Sequence, residues 1–154
     1  MKKRAIFTAA AMAVFICLLA WPLAMRAQRR SMTGWEATVR LKLAGAALLL
    51  SLVDAHLAYD PYIGSLEDDT YFDIRVPLRK GVGYMLLGVC DDDCGNLNMK
   101  LYDEDGAFVG QNSGRTTTPD LEIIPEQTQR FTVRITMKRC DEDPCYYGLG
   151  VYSK

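Results

Sequence analysis

Histidine is almost missing from this 154-residue chain, with His56 as its single example. One imidazole cannot build a multi-histidine metal centre. His56 also has no evident nucleophile beside it to activate. No glycine-rich phosphate loop occurs, and there is no internal repeat or low-complexity linker. Basic residues are not in excess either: 18 Lys and Arg stand against 19 Asp and Glu. Such a balance gives no general attraction for nucleic acid. A carboxylate pair could in principle do acid–base work, but the acids gather in turn-like stretches that a β fold leaves in water. These absences argue against an enzyme and leave a binding or structural role.

What is present begins with an export signal. Lys2, Lys3 and Arg4 precede an uncharged apolar run from Ala5 to Met25, and the small residue Ala27 offers a cleavage point before Gln28. Residues 1–27 therefore read as a signal peptide. The run is also long enough to span a bilayer if it is retained, which is the alternative. Removing Lys2, Lys3, Arg4 and Arg26 with no acids leaves 14 basic and 19 acidic residues, so the formal charge falls from −1 to −5. Nucleic acid is then not an expected partner, and the membrane is one only through an uncleaved N-terminus.

Cys90, Cys94, Cys140 and Cys145 follow that segment. An even count in an exported chain implies two disulfides, with three connectivities open. The favoured pairing closes the two local loops, Cys90 with Cys94 and Cys140 with Cys145. The spacings would also suit a four-thiolate zinc site, but an oxidising compartment opposes it. Three residues separate Cys90 from Cys94, so the pair lacks the thioredoxin-like spacing.

Residues 28–63 read as an N-terminal helical segment. Thr33 with Glu36 suggests a capping box, and Val39, Leu43, Ala46, Leu50, Val53 and Leu57 recur at helical spacing. The predicted helix covers 33–58 and ends at Tyr59-Asp60-Pro61. From Gly64 to Lys154 the period changes to two. TYFDIRVPL (70–78) sets Phe72, Ile74, Val76 and Leu78 inward, against Tyr71, Asp73 and Arg75. GYMLLGVC (83–90) is apolar throughout. LNMKLY (97–102), AFVG (107–110), DLEII (120–124), RFTVRITMK (130–138) and YYGLGVY (146–152) complete seven short strands separated by turn signals. The expected fold class is mainly β: an antiparallel, jelly-roll-like β-sandwich preceded by one α-helix.

The ordered set KGVGYML, LNMKLYDEDGAFVG, LEIIP, RFTVRITM and YYGLGVY resembles the bacterial pre-peptidase C-terminal domains over roughly residues 64–154. It is most similar to a cysteine-bearing variety in short exported bacterial proteins, where phrases like CDDDC and CDEDPCYYG recur. The resemblance implies a jelly-roll-like sandwich of an exported protein. Its relatives usually accompany secreted peptidases and assist substrate binding or secretion, and some bind calcium. Here no peptidase domain accompanies it, and Asn96 and Asn98 replace aspartates that such relatives often carry.

The stretch GVCDDDCGNLNMKLYDEDG (88–106) concentrates the site candidates. Calcium takes six to eight oxygens, and Asp91, Asp93, Asn96, Asn98, Asp103 and Asp105 could supply them if the two turns met in space. The competing reading makes these residues turn formers, since Asp and Asn accept hydrogen bonds from their own backbone. Tyr59, Tyr62, Tyr146, Tyr147 and Tyr152 could form a face for a protein or glycan of the envelope, or pack across strands. The expected function is a non-catalytic exported binding or interaction module of the bacterial envelope. The alternatives are a membrane-anchored structural protein and a calcium-stabilised accessory of a secreted peptidase.

Overall fold

Period-two alternation becomes strand wherever it is clean. RFTVRITMK lies within β8 (Gln129–Cys140), where Phe131, Val133, Ile135 and Met137 are buried and the residues between them face out. The computed structural model describes residues 34–154. In chain order these hold a helix, α1 (34–51), then β1 (His56–Leu57), β2 (Tyr62–Leu66), β3 (Tyr71–Leu78), β4 (Tyr84–Cys90), β5 (Cys94–Tyr102), β6 (Phe108–Asn112), β7 (Asp120–Ile123), β8 and β9 (Cys145–Ser153).

The strands form two antiparallel sheets packed as a sandwich. In the five-stranded sheet β9 pairs with β4, and β4 with β7; β1 and β2 share the other edge of β9. The four-stranded sheet runs β3-β8-β5-β6. From β2 to β9 every connection passes between the sheets except the β5–β6 hairpin. The inward side chains form one core, with Val76, Leu78, Leu86, Leu97, Met99, Val133, Ile135, Met137 and Leu149 fully buried. The turns carry the residues their backbones require: Gly81 and Gly106 take φ of +74° and +83°, conformations that cost glycine little.

Helix α1 lies against the outer face of the five-stranded sheet. Val39 and Leu43 enter a second cluster with Val89, flanked by Ile63, Leu87 and Tyr146. Gly148 on β9 permits this approach, because a Cβ there would stand 2.7 Å from both Leu43 Cδ1 and Val39 Cγ1. Two polar ties secure the helix: Lys42 donates to the Cys90 carbonyl (2.9 Å) and to Asp92 (2.8 Å), and the Tyr152 hydroxyl to the Leu43 carbonyl (3.3 Å).

Several boundaries differ from the sequence reading. The helix stops at 51 instead of 58. Asp54 adopts φ of +59°, and His56–Leu57 then pair with Tyr152–Ser153 as β1. The β-sheet edge outcompetes the helical period here because it satisfies the backbone groups of both chain segments. The helical segment therefore does not extend to 63. Strands begin at His56 and continue through β2, and the helix joins them in one compact unit, Trp35–Lys154. Val53 and Leu57, expected on the buried helix face, are 55% and 42% exposed. Phe72, expected inward, is 56% exposed. The signal segment 1–27 and the Thr33 cap lie outside the described residues.

Candidate functional site

The acidic cysteine stretch occupies one end of the sandwich. Cys90 ends β4 in one sheet and Cys94 opens β5 in the other, and a disulfide joins them. Cys140 ends β8, Cys145 opens β9, and a second disulfide joins those. Each bridge therefore ties one sheet to the other. Cys94 and Cys140 are Cα partners across β5 and β8, so the two bridges stand side by side.

The aspartates between these cysteines hold the two loops together. Asp91 exchanges bonds with β9: its amide donates to the Tyr146 carbonyl (3.0 Å), and its Oδ2 accepts the Tyr146 amide (2.7 Å). The Asp93 carbonyl accepts the Asp141 amide at 2.8 Å. Asp68, from the turn before β3, accepts the Cys140 amide, and Asp143 accepts the Asp68 amide, both at 2.8 Å. Asp91 is buried, and its Oδ1 has no hydrogen-bond partner. Burial pushes its carboxyl above the usual carboxylate range, with the Asp93 charge adding to the rise. Backbone amides of Tyr146 and Cys94 and the charge of Lys42 act against it.

The six oxygen donors proposed for calcium do not come together. Asp91 and Asp93 precede β5 and Asp103 follows it. Nine residues of strand lie between, roughly 30 Å at the rise of an extended chain. Asn96 Oδ1 accepts the Thr116 amide (3.3 Å), while Asn98 Oδ1 is buried without a partner. At the far turn Asp103 Oδ1 accepts the amides of Asp105 (3.1 Å) and Ala107 (2.7 Å), the self-bonding expected of an Asp turn. Asp103 and Asp105 share an open recess with Glu126 and Gln127. Among the described residues no group of three or more His, Cys, Asp or Glu side chains converges to hold a metal ion. His56 is exposed on the edge strand β1.

The tyrosines divide. Tyr147 and Tyr152 are buried in packing, and burial raises the pKa of both hydroxyls. The exposed rings lie elsewhere, on the outer face of the four-stranded sheet. There Arg134 is central. Its guanidinium makes two 2.7 Å bonds to the carboxylate of Asp73 on β3 and lies 4.2 Å from the Tyr71 ring centroid and 5.5 Å from that of Tyr102. Tyr102 meets Phe108 edge-on at 6.1 Å. The Arg134 hydrogen bond holds Asp73 below the usual carboxylate range, against the opposing effect of burial, and Asp73 in turn raises Arg134. Tyr71 and Phe108 are 56% and 57% exposed.

The same face is cationic. Arg75 projects from β3, Lys100 from β5, and Arg130 and Lys138 from β8, on the same alternation as Arg134. Asp73 is the one acid among the outward positions of these strands. Lys138 pairs with Asp69 in the turn before β3. Alternation placed Tyr71, Asp73 and Arg75 on an outer face from the sequence. Their meeting with Tyr102 and Phe108 required the strand order, which joins β3 to β5 only through β8.

No family model matches the chain, and no curated protein does. Solved structures do. The pre-peptidase C-terminal domain of collagenase from Bacillus anthracis aligns over 60% of this chain and 87% of its own, at 9% identity and a TM-score of 0.48. PliG from Aeromonas hydrophila, a periplasmic lysozyme inhibitor of g-type lysozyme, aligns over 62% and 85%, at 11% identity and a TM-score of 0.45. The β-sandwich assignment itself rests on the strand order and register of the two sheets.

Proposed function

We propose that this chain is a non-catalytic exported binding module of the bacterial cell envelope. The observation that carries this reading is the outer face of the four-stranded sheet, which no helix or strand among the described residues covers and where aromatic rings are set among cationic side chains. The opposite outer face is occupied by α1. Two disulfides joining the sheets suit an oxidising compartment. The test is capture from envelope extract with the immobilised chain from Gln28 onward. Reproducible retention of one envelope component is expected, and capture of nothing above a blank matrix sinks the reading.

A second reading is favoured by one observation. Leu41, Leu48 and Leu49 on the solvent side of α1, with Leu52 in the turn just after it, form an apolar stripe exposed by 74%, 69%, 68% and 79%. An apolar stripe close behind an uncharged N-terminal run suits a chain kept at a membrane surface. Among the described residues no helix is long and apolar enough to cross a membrane, so such a chain would be held by residues 5–25. Intact mass of the purified protein decides between the two: an N-terminus at Gln28 removes the anchor.

A further inference from the structure

We propose that the outer face of the four-stranded sheet binds an extended anionic glycan, a sugar chain bearing carboxylate or phosphate groups. The inference rests on the binding-module reading and gives it a surface and a ligand class.

Charge is the first argument. From Gln28 onward the chain carries 14 basic and 19 acidic residues, yet this one face presents Arg75, Lys100, Arg130, Arg134 and Lys138 against Asp73. Asp73 and Asp69 neutralise Arg134 and Lys138. Among the described residues no carboxylate lies within ion-pair distance of Arg75, Lys100 or Arg130. Lys100 moreover stands directly opposite Arg134 as its Cα partner. Asp73 offsets the charge of Arg134, so the cation left at this pair for a bound anion is Lys100.

Shape is the second argument. From Arg130 to Lys138 the outward row on β8 extends roughly 27 Å at strand rise, and the recesses beside Tyr84, Pro61 and Glu126 are lined by none of its side chains. An elongated row of this kind suits a chain better than a small molecule, which needs a concavity. The rings of Tyr71 and Phe108 can lie against the apolar faces of sugar units. Arg75 and Arg130 can take a carboxylate or phosphate by paired N–H donors. An acidic protein segment would satisfy the cations but would leave these exposed rings without a matching planar partner. Single-stranded nucleic acid would match both and is made an arm of the test.

The experiment measures binding by biolayer interferometry to alginate, a polyuronate, to polyglycerol-phosphate teichoic acid, to neutral dextran and to poly(dT). The proteins are the chain from Gln28 and its variants Arg75→Glu/Arg130→Glu and Tyr71→Ala. Binding is expected to alginate or teichoic acid, and whichever is tighter identifies the acidic group. Dextran should not bind. The double charge reversal should weaken binding at least tenfold, and Tyr71→Ala severalfold, with melting temperatures near that of the parent because these side chains are exposed. Binding to neither acidic glycan, an affinity unchanged in the double variant, or tighter binding to poly(dT) overturns the proposal. The envelope capture is repeated with the double variant. Equal capture by parent and variant removes this face and spares the binding-module reading, whereas no capture by the parent removes the reading itself.

Discussion

Substitution of Gly148 by alanine isolates the contact that seats α1 on the sandwich. A Cβ at 148 would fall 2.7 Å from Val39 Cγ1 and from Leu43 Cδ1, well inside van der Waals contact. Both partners are buried, at 0% and 2% exposure, so neither can swing into water without exposing apolar surface. Overpacking of this kind costs about 1–3 kcal/mol, more than the roughly 0.4–1 kcal/mol that alanine gains by restricting the unfolded chain. The net loss is then up to roughly 2.6 kcal/mol, and at about 4 °C per kcal/mol for a domain of this size the melting temperature should fall by up to roughly 10 °C. Helix amides between 39 and 51 should exchange faster, while those of β8 keep their protection until global unfolding. Gly83→Ala is the control, since nothing lies within 4 Å of its added Cβ; it should leave the melt unchanged or raise it. Val39→Ala should cost less stability in the Gly148→Ala background than alone, because it removes one of the two clashing groups. A Gly148→Ala protein that melts within about 1 °C of the parent, with unaltered exchange over 39–51, would refute close docking of α1.

Four further outcomes are expected. A non-reducing peptide map should return Cys90 linked to Cys94 and Cys140 linked to Cys145; any peptide joining one pair to the other contradicts the way the two sheets meet at their strand ends. Because both loops are short, with sequence separations of 4 and 5, replacing either pair by alanine should cost only about 2 kcal/mol in urea denaturation. Burial raises the folded-state pKa of Asp91, so its contribution to stability is fully present below the unfolded carboxylate range and is lost as pH rises through the raised value. Asp91→Asn has no such loss, so its stability relative to the parent should be higher at neutral pH than in mild acid; a pH-independent difference would contradict a buried, titrating carboxyl. Melting temperature should be the same in millimolar calcium and in chelator, and a reproducible rise with calcium would contradict the separation of the two acidic turns by the length of β5.

The sequence disclosed the strands better than the edges. β3, β5 and β8 were legible because alternation there sets buried against exposed side chains, as in Phe131, Val133, Ile135 and Met137, and β4 and β9 were legible as apolar runs bounded by turn residues. β1 and β2 were not, since His56–Leu57 and Tyr62–Leu66 are edge segments held by backbone pairing to β9, which leaves little imprint on side-chain type. The acidic stretch 88–106 was misleading in a specific way. Its oxygens looked available for a ligand because neither the length of β5 nor the Tyr146 amide can be weighed from local composition. In the fold, Asp91 and Asp103 spend their carboxylates on backbone amides. Of the two readings open for the tyrosines, packing holds for Tyr147 and Tyr152, which are core.

The asymmetry of the two outer faces was written in the strands all the same. β4 and β9, the central pair of the five-stranded sheet, read YMLLGVC and CYYGLGVYS, apolar at nearly every position. Such strands cannot leave one face in water, so something must cover them. Within this chain the cover is α1, admitted by the missing Cβ of Gly148. β3 and β8 instead read YFDIRVPL and QRFTVRITMKRC, with charge or hydroxyl at nearly every second position. A sheet of that pattern needs no cover. Its outer face stays open to the recognition proposed above, with the rings of Tyr71 and Phe108 exposed beside Arg134 and Tyr102.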